Sequence, residues 1–132
     1  GWYSGGIDYW AEFLKLVRER RDSLGYGDKP VIFSEFGAAA LYGTHDGEDI
    51  LWSEEYQANL IANCLDLFHR SERVVGSFIW QFTDMRTSKE AGLNRARSFN
   101  NKGIIDEYRN PKAAFFKVKE LYGKYSKEHK AK

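Results

Sequence analysis

The sequence predicts an α/β fold in which helices alternate with two buried parallel strands. Apolar, partly β-branched runs at residues 30–35 and 74–82 predict the strands, since each is long enough to be covered on both faces. Apolar residues at spacings of three and four predict helices before, between and after them. This order favours right-handed βα units. Because two strands alone leave both sheet edges open, we interpret the chain as the last quarter to half of a (β/α) barrel.

The first helix is predicted over residues 7–24, with charged residues on its outer side. Its apolar face consists of Trp10, Phe13, Leu14 and Val17. The second helix is predicted over residues 53–70, where Ser53 is a good cap and Glu54 and Glu55 suit the first turn. Its apolar stripe consists of Leu60, Ile61, Cys64, Leu65 and Phe68. Cys64 is the single cysteine, so we expect a buried, inert thiol and no disulfide.

A long loop is predicted over residues 83–110, with a short extended piece at 103–105. Asn110 and Pro111 are expected to cap and start the last helix. The apolar side of that helix consists of Ala114, Phe115, Val118, Leu121, Tyr122 and Tyr125. The first 125 residues therefore form one domain portion, and residues 126–132 are expected to be a disordered basic tail.

Charge and composition exclude several kinds of partner. The net charge is +1 over 132 residues, which indicates neither nucleic acid nor a membrane surface. The sequence has no long apolar segment and no cluster of histidines at metal-ligand spacing. We therefore expect a cytoplasmic protein without metal or cofactor. The chain opens on a glycine-rich aromatic stretch without methionine, which suggests a C-terminal piece of a larger protein.

Glu35 is the residue that points to chemistry. It ends the first buried strand, and a carboxylate deep in such a strand would cost several kcal/mol to desolvate. Its place is therefore the carboxyl end, where α/β sheets and barrels open onto their ligands. This position suits a nucleophile or a general base. The alternative is a structural carboxylate that caps a loop or pairs with an arginine.

Five motifs occur in a fixed order along the chain. They are Ser34-Glu35-Phe36-Gly37, Trp52-Ser53-Glu54-Glu55-Tyr56-Gln57, Val75-Gly76 with Ile79-Trp80-Gln81-Phe82-Thr83-Asp84, Asn100-Asn101-Lys102-Gly103-Ile104 and Arg109-Asn110-Pro111-Lys112. Together they resemble the C-terminal part of the catalytic TIM (β/α)8 barrel of β-glucuronidases in glycoside hydrolase family 2. The resemblance implies a partial barrel, consisting of the last two strands with flanking helices.

The resemblance also implies a retaining glycosidase of β-D-glucuronides. Such enzymes use two carboxyl groups about 5–5.5 Å apart, one as nucleophile and one as general acid/base. Glu35 matches the nucleophile, which forms a covalent glycosyl-enzyme intermediate. The general acid/base of the family lies before Gly1, so the chain by itself is expected to be inactive.

Further substrate contacts follow from the same resemblance. Asn100 and Lys102 match a pair that contacts the sugar carboxylate, and an ammonium with an amide can orient that charge. The alternative is a basic surface loop with an asparagine turn. An arginine near this pair also faces the carboxylate in the family. Arg95 and Arg97 each miss its position by one residue, so either or neither takes the role.

The remaining candidates have structural interpretations beside their functional ones, and for Asp84 and His45 the sequence favours the structural one. Trp80 would wall the sugar subsite or pack in the core. Tyr3 would hydrogen-bond the nucleophile and keep it ionised. Asp84 would bind substrate or cap its loop, and His45 would line the site or lie exposed.

Two other functions remain open. One is a glycosidase of the same family with another specificity, for β-galactosides or β-galacturonides; Asn100 and Lys102 argue against the galactoside. The other is a non-catalytic module that self-associates. The open strand edges and apolar helix faces lead us to expect a homo-oligomer.

Overall fold

The computed structural model describes residues 6–47, 50–92 and 95–130. Three long helices and two six-residue strands alternate as the sequence predicts. The elements in chain order are α1 (Gly6–Ser23), β1 (Val31–Phe36), α2 (Glu54–Arg70), β2 (Val74–Ile79), β3 (Met85–Arg86), α3 (Lys89–Gly92), β4 (Phe99–Asn100) and α4 (Ala113–Lys130). Within these ranges, no helix combines the length and the apolar composition that a membrane span requires.

The two longer strands form the predicted parallel pair. Val31 lies opposite Val74, and Phe36 lies opposite Ile79. The predicted second strand extends to residue 82, but β2 ends at Ile79. Trp80 still bonds to Phe36 of β1, but from Gln81 onward the chain pairs with a later loop: the Gln81 N–H donates to the Lys102 carbonyl at 3.0 Å, and the Ile104 N–H donates to the Gln81 carbonyl at 3.0 Å.

A second, antiparallel sheet joins β3 and β4, with Met85 opposite Asn100 and Arg86 opposite Phe99. The sequence predicts only a loop in this region. Each strand has two residues, which is too short for a pattern of alternating polar and apolar side chains.

An aromatic cluster joins the parallel pair to its helices. The ring of Phe33 in β1 stacks on Phe68 of α2 with 4.0 Å between centroids. Trp10 of α1 meets both rings edge-on, at 6.0 Å from Phe33 and 5.9 Å from Phe68. The predicted face of α1 is only partly buried: Trp10 and Leu14 lie in the core, whereas Phe13 is 39% exposed.

Other apolar side chains of the same two strands are uncovered. Ile32 of β1 is 57% exposed, and Val75 and Phe78 of β2 are each 64% exposed. Soluble domains bury most side chains of this size in strands. The described elements therefore cover only part of the sheet, as expected for part of a barrel.

The second helix agrees with its sequence in detail. The Ser53 hydroxyl accepts a hydrogen bond from the Tyr56 N–H at 3.1 Å, so the predicted cap is confirmed. The predicted stripe is buried along its whole length. Burial raises the pKa of the Cys64 thiol to about 12, which keeps it protonated and unreactive.

The start of α4 differs from its prediction. The Asn110 amide donates to Asp106 Oδ2 at 2.8 Å instead of capping the helix, and Pro111 bridges to another segment before the helix begins. The cap comes from another helix: Glu54 Oε2 of α2 accepts from the Ala113 N–H at 2.6 Å. The predicted Asn110–Pro111 start is therefore wrong, because α4 begins only at Ala113 and Glu54 supplies its cap.

The end of α4 differs as well. The sequence predicts a disordered tail from residue 126, but the helix continues to Lys130. His69 of α2 holds this last part, since its Nε2 lies 2.8 Å from Glu128 Oε2 and its ring stacks on Tyr125 at 3.9 Å. The end of α4 thus contacts another helix, and the local sequence does not reveal this contact.

Candidate active site

The candidate site begins where the two parallel strands end. The Trp80 N–H donates to the Phe36 carbonyl at 2.7 Å, and Glu35 directly precedes Phe36. Gly37 allows this approach, because a Cβ there would lie 2.5 Å from the Trp80 carbonyl oxygen. Glu35 and Trp80 therefore lie on adjoining backbones, with Glu35 half-buried and Trp80 39% exposed. That exposure argues against plain core packing of Trp80.

The loop at residues 100–103, here called the Asn100 loop, joins both strand ends. The Lys102 carbonyl accepts from the Gln81 N–H at 3.0 Å, next to Trp80. The Asn101 carbonyl accepts from the Ala40 N–H at 3.0 Å, in the segment after β1. The backbone thus brings together the segments that carry Glu35, Trp80 and the Asn100–Lys102 pair.

The Asn100 loop is turned but not exposed. Asn100 Oδ1 accepts from the Lys102 N–H at 3.3 Å, which makes the asparagine turn considered above. Lys102 is only 4% exposed, however, so a basic surface loop is the wrong description of it. The turn leaves the Asn100 NH2 group as the donor that a carboxylate could accept from.

Arg97 does not join these residues. Its guanidinium donates to Glu107 from two nitrogens, at 2.6 and 3.3 Å, and lies 5.4 Å from the centre of the Phe99 ring. This ion pair raises the pKa of Arg97 and lowers that of Glu107, although burial opposes both shifts. Arg97, a candidate for contact with the sugar carboxylate, instead forms a surface ion pair with Glu107. Tyr3 lies outside the described residues.

His45 takes the exposed alternative. Its Nδ1 lies 2.7 Å from Glu55 Oε1, and its side chain is 61% exposed. The hydrogen bond to Glu55 raises the pKa of His45 and lowers the pKa of Glu55. In residues 6–47, 50–92 and 95–130, no group of three or more His, Cys, Asp and Glu could hold a metal ion.

Asp84 holds the Asn100 loop through a backbone hydrogen bond. Its Oδ1 accepts from the Gly103 N–H at 2.8 Å and from Lys112 Nζ at 2.9 Å. Both charged side chains are fully buried. Loss of solvent raises the pKa of Asp84 and lowers that of Lys112, while the ion pair opposes each shift. Of the two predicted roles of Asp84, the structure favours the loop cap.

Two residues with large structural roles were not singled out from the sequence. Lys112 is fully buried and bonds to three segments of the site. Gln57 is equally buried, and its Nε2 donates to the Ala38 and Gly103 carbonyls at 2.9 and 3.0 Å. Both residues have a weak signal in the sequence. A lysine beside a helix N-terminus opposes the helix dipole, and Gln57 interrupts an apolar stripe.

Comparison with known proteins decides the family. Residues 7–126 match the model described as glycosyl hydrolases family 2, TIM barrel domain. This chain belongs to that family. The β-glucuronidase of Canis lupus familiaris is 41% identical over 121 residues, which are 87% of this chain and 18% of that protein.

Solved structures confirm the partial TIM barrel. A family 2 β-galacturonidase from Eisenbergiella tayi superposes with a TM-score of 0.82 at 35% identity, over 93% of this chain and 22% of that one. A β-glucuronidase from an uncultured Clostridium species gives 0.78 at 35% identity, over 94% and 21%. The chain thus spans about a fifth of the length of these relatives.

Proposed function

We propose that this chain is part of a retaining β-glucuronidase, in which Glu35 is the nucleophile. The observation that carries the proposal is the meeting of three segments at the carboxyl ends of β1 and β2. One segment carries Glu35, one carries Trp80, and one carries Asn100 and Lys102. In TIM barrels, this end of the strands is where substrates bind and react. The similarity to β-glucuronidases supports the same assignment.

The chemistry assigned to Glu35 is attack on the anomeric carbon of the sugar. Its carboxylate forms a bond to that carbon while the bond to the aglycone oxygen breaks, and a general acid protonates the departing oxygen. Water then hydrolyses the glycosyl ester, so two inversions return the original configuration. We assign the general acid to a part of the parent enzyme outside this chain, as the family resemblance implies. We therefore propose that the chain alone is inactive and that the parent enzyme is active.

Recognition of the sugar is assigned to the Asn100 loop. A glucuronide carries a carboxylate at C6, where a neutral glucoside carries a hydroxymethyl group. The Lys102 ammonium and the Asn100 amide are donors suited to that carboxylate, whereas a neutral hydroxymethyl group offers no charge for the ammonium to neutralise. Trp80, which is partly exposed beside Glu35, offers an aromatic face to the C–H surface of the sugar.

Replacing Glu35 by Gln in the full-length parent tests the nucleophile. We expect kcat for a chromogenic β-glucuronide to fall by about a thousand-fold or more, because the amide cannot form the covalent intermediate. A 2-fluoro-glucuronide with a good leaving group should label the wild-type peptide that contains Glu35. The matched control is Glu120→Gln, since Glu120 is exposed on α4. Unimpaired turnover by Glu35→Gln would remove this residue from the chemistry.

Replacing Lys102 by Ala tests carboxylate recognition. Loss of a buried partner for a charge costs roughly 2–5 kcal/mol, which is at least about a 30-fold loss in kcat/KM for the glucuronide. Turnover of the matching neutral glucoside should change far less. Lys119→Ala, at an exposed position of α4, is the control. Equal losses on both substrates would exclude the assigned role.

A β-galacturonidase is the second candidate, and one structural neighbour of high similarity favours it. Galacturonides carry the same C6 carboxylate and differ from glucuronides in the configuration at C4. Asn100 and Lys102 therefore suit both sugars. Turnover of paired aryl β-glucuronides and β-galacturonides by the parent distinguishes the two, and a preference for the galacturonide would replace the first proposal.

A further inference from the structure

Lys112 contacts all three segments of the candidate site through one group. Its Nζ donates to the Ala40 carbonyl at 2.7 Å, in the segment that follows β1. It donates to Asp84 Oδ1 at 2.9 Å, in the segment that follows β2. It donates to the Asn101 carbonyl at 3.2 Å, in the Asn100 loop. An ammonium has three N–H donors, and each one has an acceptor on a different segment.

These three hydrogen bonds restrict the position of the loops, because the Lys112 ammonium has no water to bond with instead. Lys112 and Asp84 side chains are both fully buried, and a buried charge is costly unless it is paired and hydrogen-bonded. Any displacement of the Asn100 loop would lengthen a hydrogen bond to a desolvated ammonium. Asp84 holds the same loop a second time, through the Gly103 N–H at 2.8 Å. The pair therefore opposes movement of the backbone on both sides of Lys102.

We propose that Lys112, with Asp84, is the positioning residue that fixes the Asn100 loop and thereby sets the preference for an anionic sugar. The inference rests on the proposed function, because it concerns the loop that would bind the carboxylate. Neither residue needs to touch the substrate. Lys112 acts through the Asn101 carbonyl, one residue from Lys102, and ties it to the segments that carry Glu35 and Trp80.

A positioning role predicts a particular kinetic pattern. The carboxylate at C6 is bound in the ground state and in the transition state alike, so displacement of Lys102 should raise KM more than it lowers kcat. A misplacement of about 1 Å can cost on the order of a hundred-fold. A general loss of fold would instead lower the activity on acidic and neutral substrates together.

The experiment uses the full-length parent and the double variant Lys112→Met with Asp84→Asn, which removes both charges and leaves no unpaired buried carboxylate. The measured quantities are kcat and KM for an aryl β-glucuronide and for the matching β-glucoside. We expect kcat/KM for the glucuronide to fall roughly 10- to 100-fold more than for the glucoside. In a Lys102→Ala background, this extra loss should vanish. Lys119→Met is the control, since Lys119 is exposed on α4.

Equal losses on both substrates by a folded variant overturn the proposal, as does an extra loss that persists without Lys102. If circular dichroism shows the double variant to be unfolded, the single variant Asp84→Asn tests the positioning role instead. It keeps an oxygen acceptor for Gly103 and Lys112, and it should shift the substrate preference in the same direction by a smaller factor; no shift overturns the proposal. A wild-type parent without preference for the uronide overturns the proposed function itself, whereas a selective wild type with equally selective variants overturns only the positioning role.

Discussion

The helix-facing side of the parallel pair is held by aromatic rings, whereas the carboxyl ends of the same strands are held by buried polar side chains. Phe33 and Phe68 stack, and Trp10 packs edge-on against both. At the carboxyl ends, Lys112 and Gln57 donate to backbone carbonyls of the loops. The first region depends on apolar contact, which is non-directional, and the second depends on hydrogen bonds of fixed geometry.

The difference teaches where stability and selectivity reside. Apolar packing keeps the strands together but tolerates small shifts when volume is conserved. Hydrogen bonds to a buried ammonium tolerate little displacement, because each unmade bond leaves a desolvated group unsatisfied. Substitutions in the aromatic cluster should therefore change stability without changing substrate preference. Substitutions at the polar end should change both.

Gly103→Ala tests the polar end with the largest expected effect. A Cβ at residue 103 would overlap backbone atoms of Thr83, Asp84 and Ile105, so the Asn100 loop would have to move. We expect a loss above about 4 kcal/mol, measured by chemical unfolding of the parent, and a lower preference for glucuronide over glucoside. Gly123→Ala is the control, because a Cβ at this helical position meets no atom within 4 Å. It should stabilise by about 0.5–1 kcal/mol. Wild-type stability in Gly103→Ala would contradict the tight packing described.

Phe68→Ala tests the aromatic cluster. The side chain is 2% exposed, so its removal should leave a cavity that costs about 3–5 kcal/mol of unfolding free energy. The ratio of glucuronide to glucoside turnover should stay at the wild-type value. Phe116→Ala, at a position that is 58% exposed, should change stability by less than about 0.5 kcal/mol. A changed substrate preference in Phe68→Ala would break the contrast between the two regions.

The pair of His45 and Glu55 lies outside both regions and should have the smallest effect. The pKa of His45 is raised from 6.5, so its contribution to stability is complete below that value and is lost as the pH rises through the folded pKa. The pKa of Glu55 is lowered from 4.5, so its contribution is present above that value and is lost as the pH falls through the folded pKa. The pair therefore stabilises most between pH 4.5 and 6.5.

Thermal unfolding of wild type and His45→Gln at pH 5.5 and pH 8.5 checks this window. The difference in Tm should be small at the lower pH and smaller still at the higher one, because both side chains are largely solvated. A difference that grows with pH would show that the hydrogen bond to Glu55 does not set the pKa of His45.

The local sequence pattern was sufficient to predict the elements that bury a single apolar face. The stripe of α2 from Leu60 to Phe68 repeats with the period of a helix, and all of its predicted members are buried. Glu35 could be placed at a strand end because a lone carboxylate cannot sit inside an apolar strand. These inferences needed only periodicity and the cost of burying charge.

Residues that serve distant segments could not be predicted in this way. Lys112 follows Pro111 at a helix start, where a lysine is usually solvated, and its burial depends on three loops that meet only in the folded chain. The cap of α4 comes from Glu54, far away in sequence, so the nearer Asn110 was a misleading candidate. Arg97 shows the reverse case, because this candidate for the substrate contact forms an ion pair with the carboxylate of Glu107.

The anchor of the candidate site comes late in the chain. Glu35 and Trp80 leave the ribosome before Lys112, the group that ties their loops together. Domains are synthesised from the N-terminus, so the strands and their aromatic cluster can form while this ammonium is still inside the exit tunnel. The geometry at the carboxyl ends of β1 and β2 therefore becomes fixed only when Lys112 has emerged, after the strands and loops that it holds.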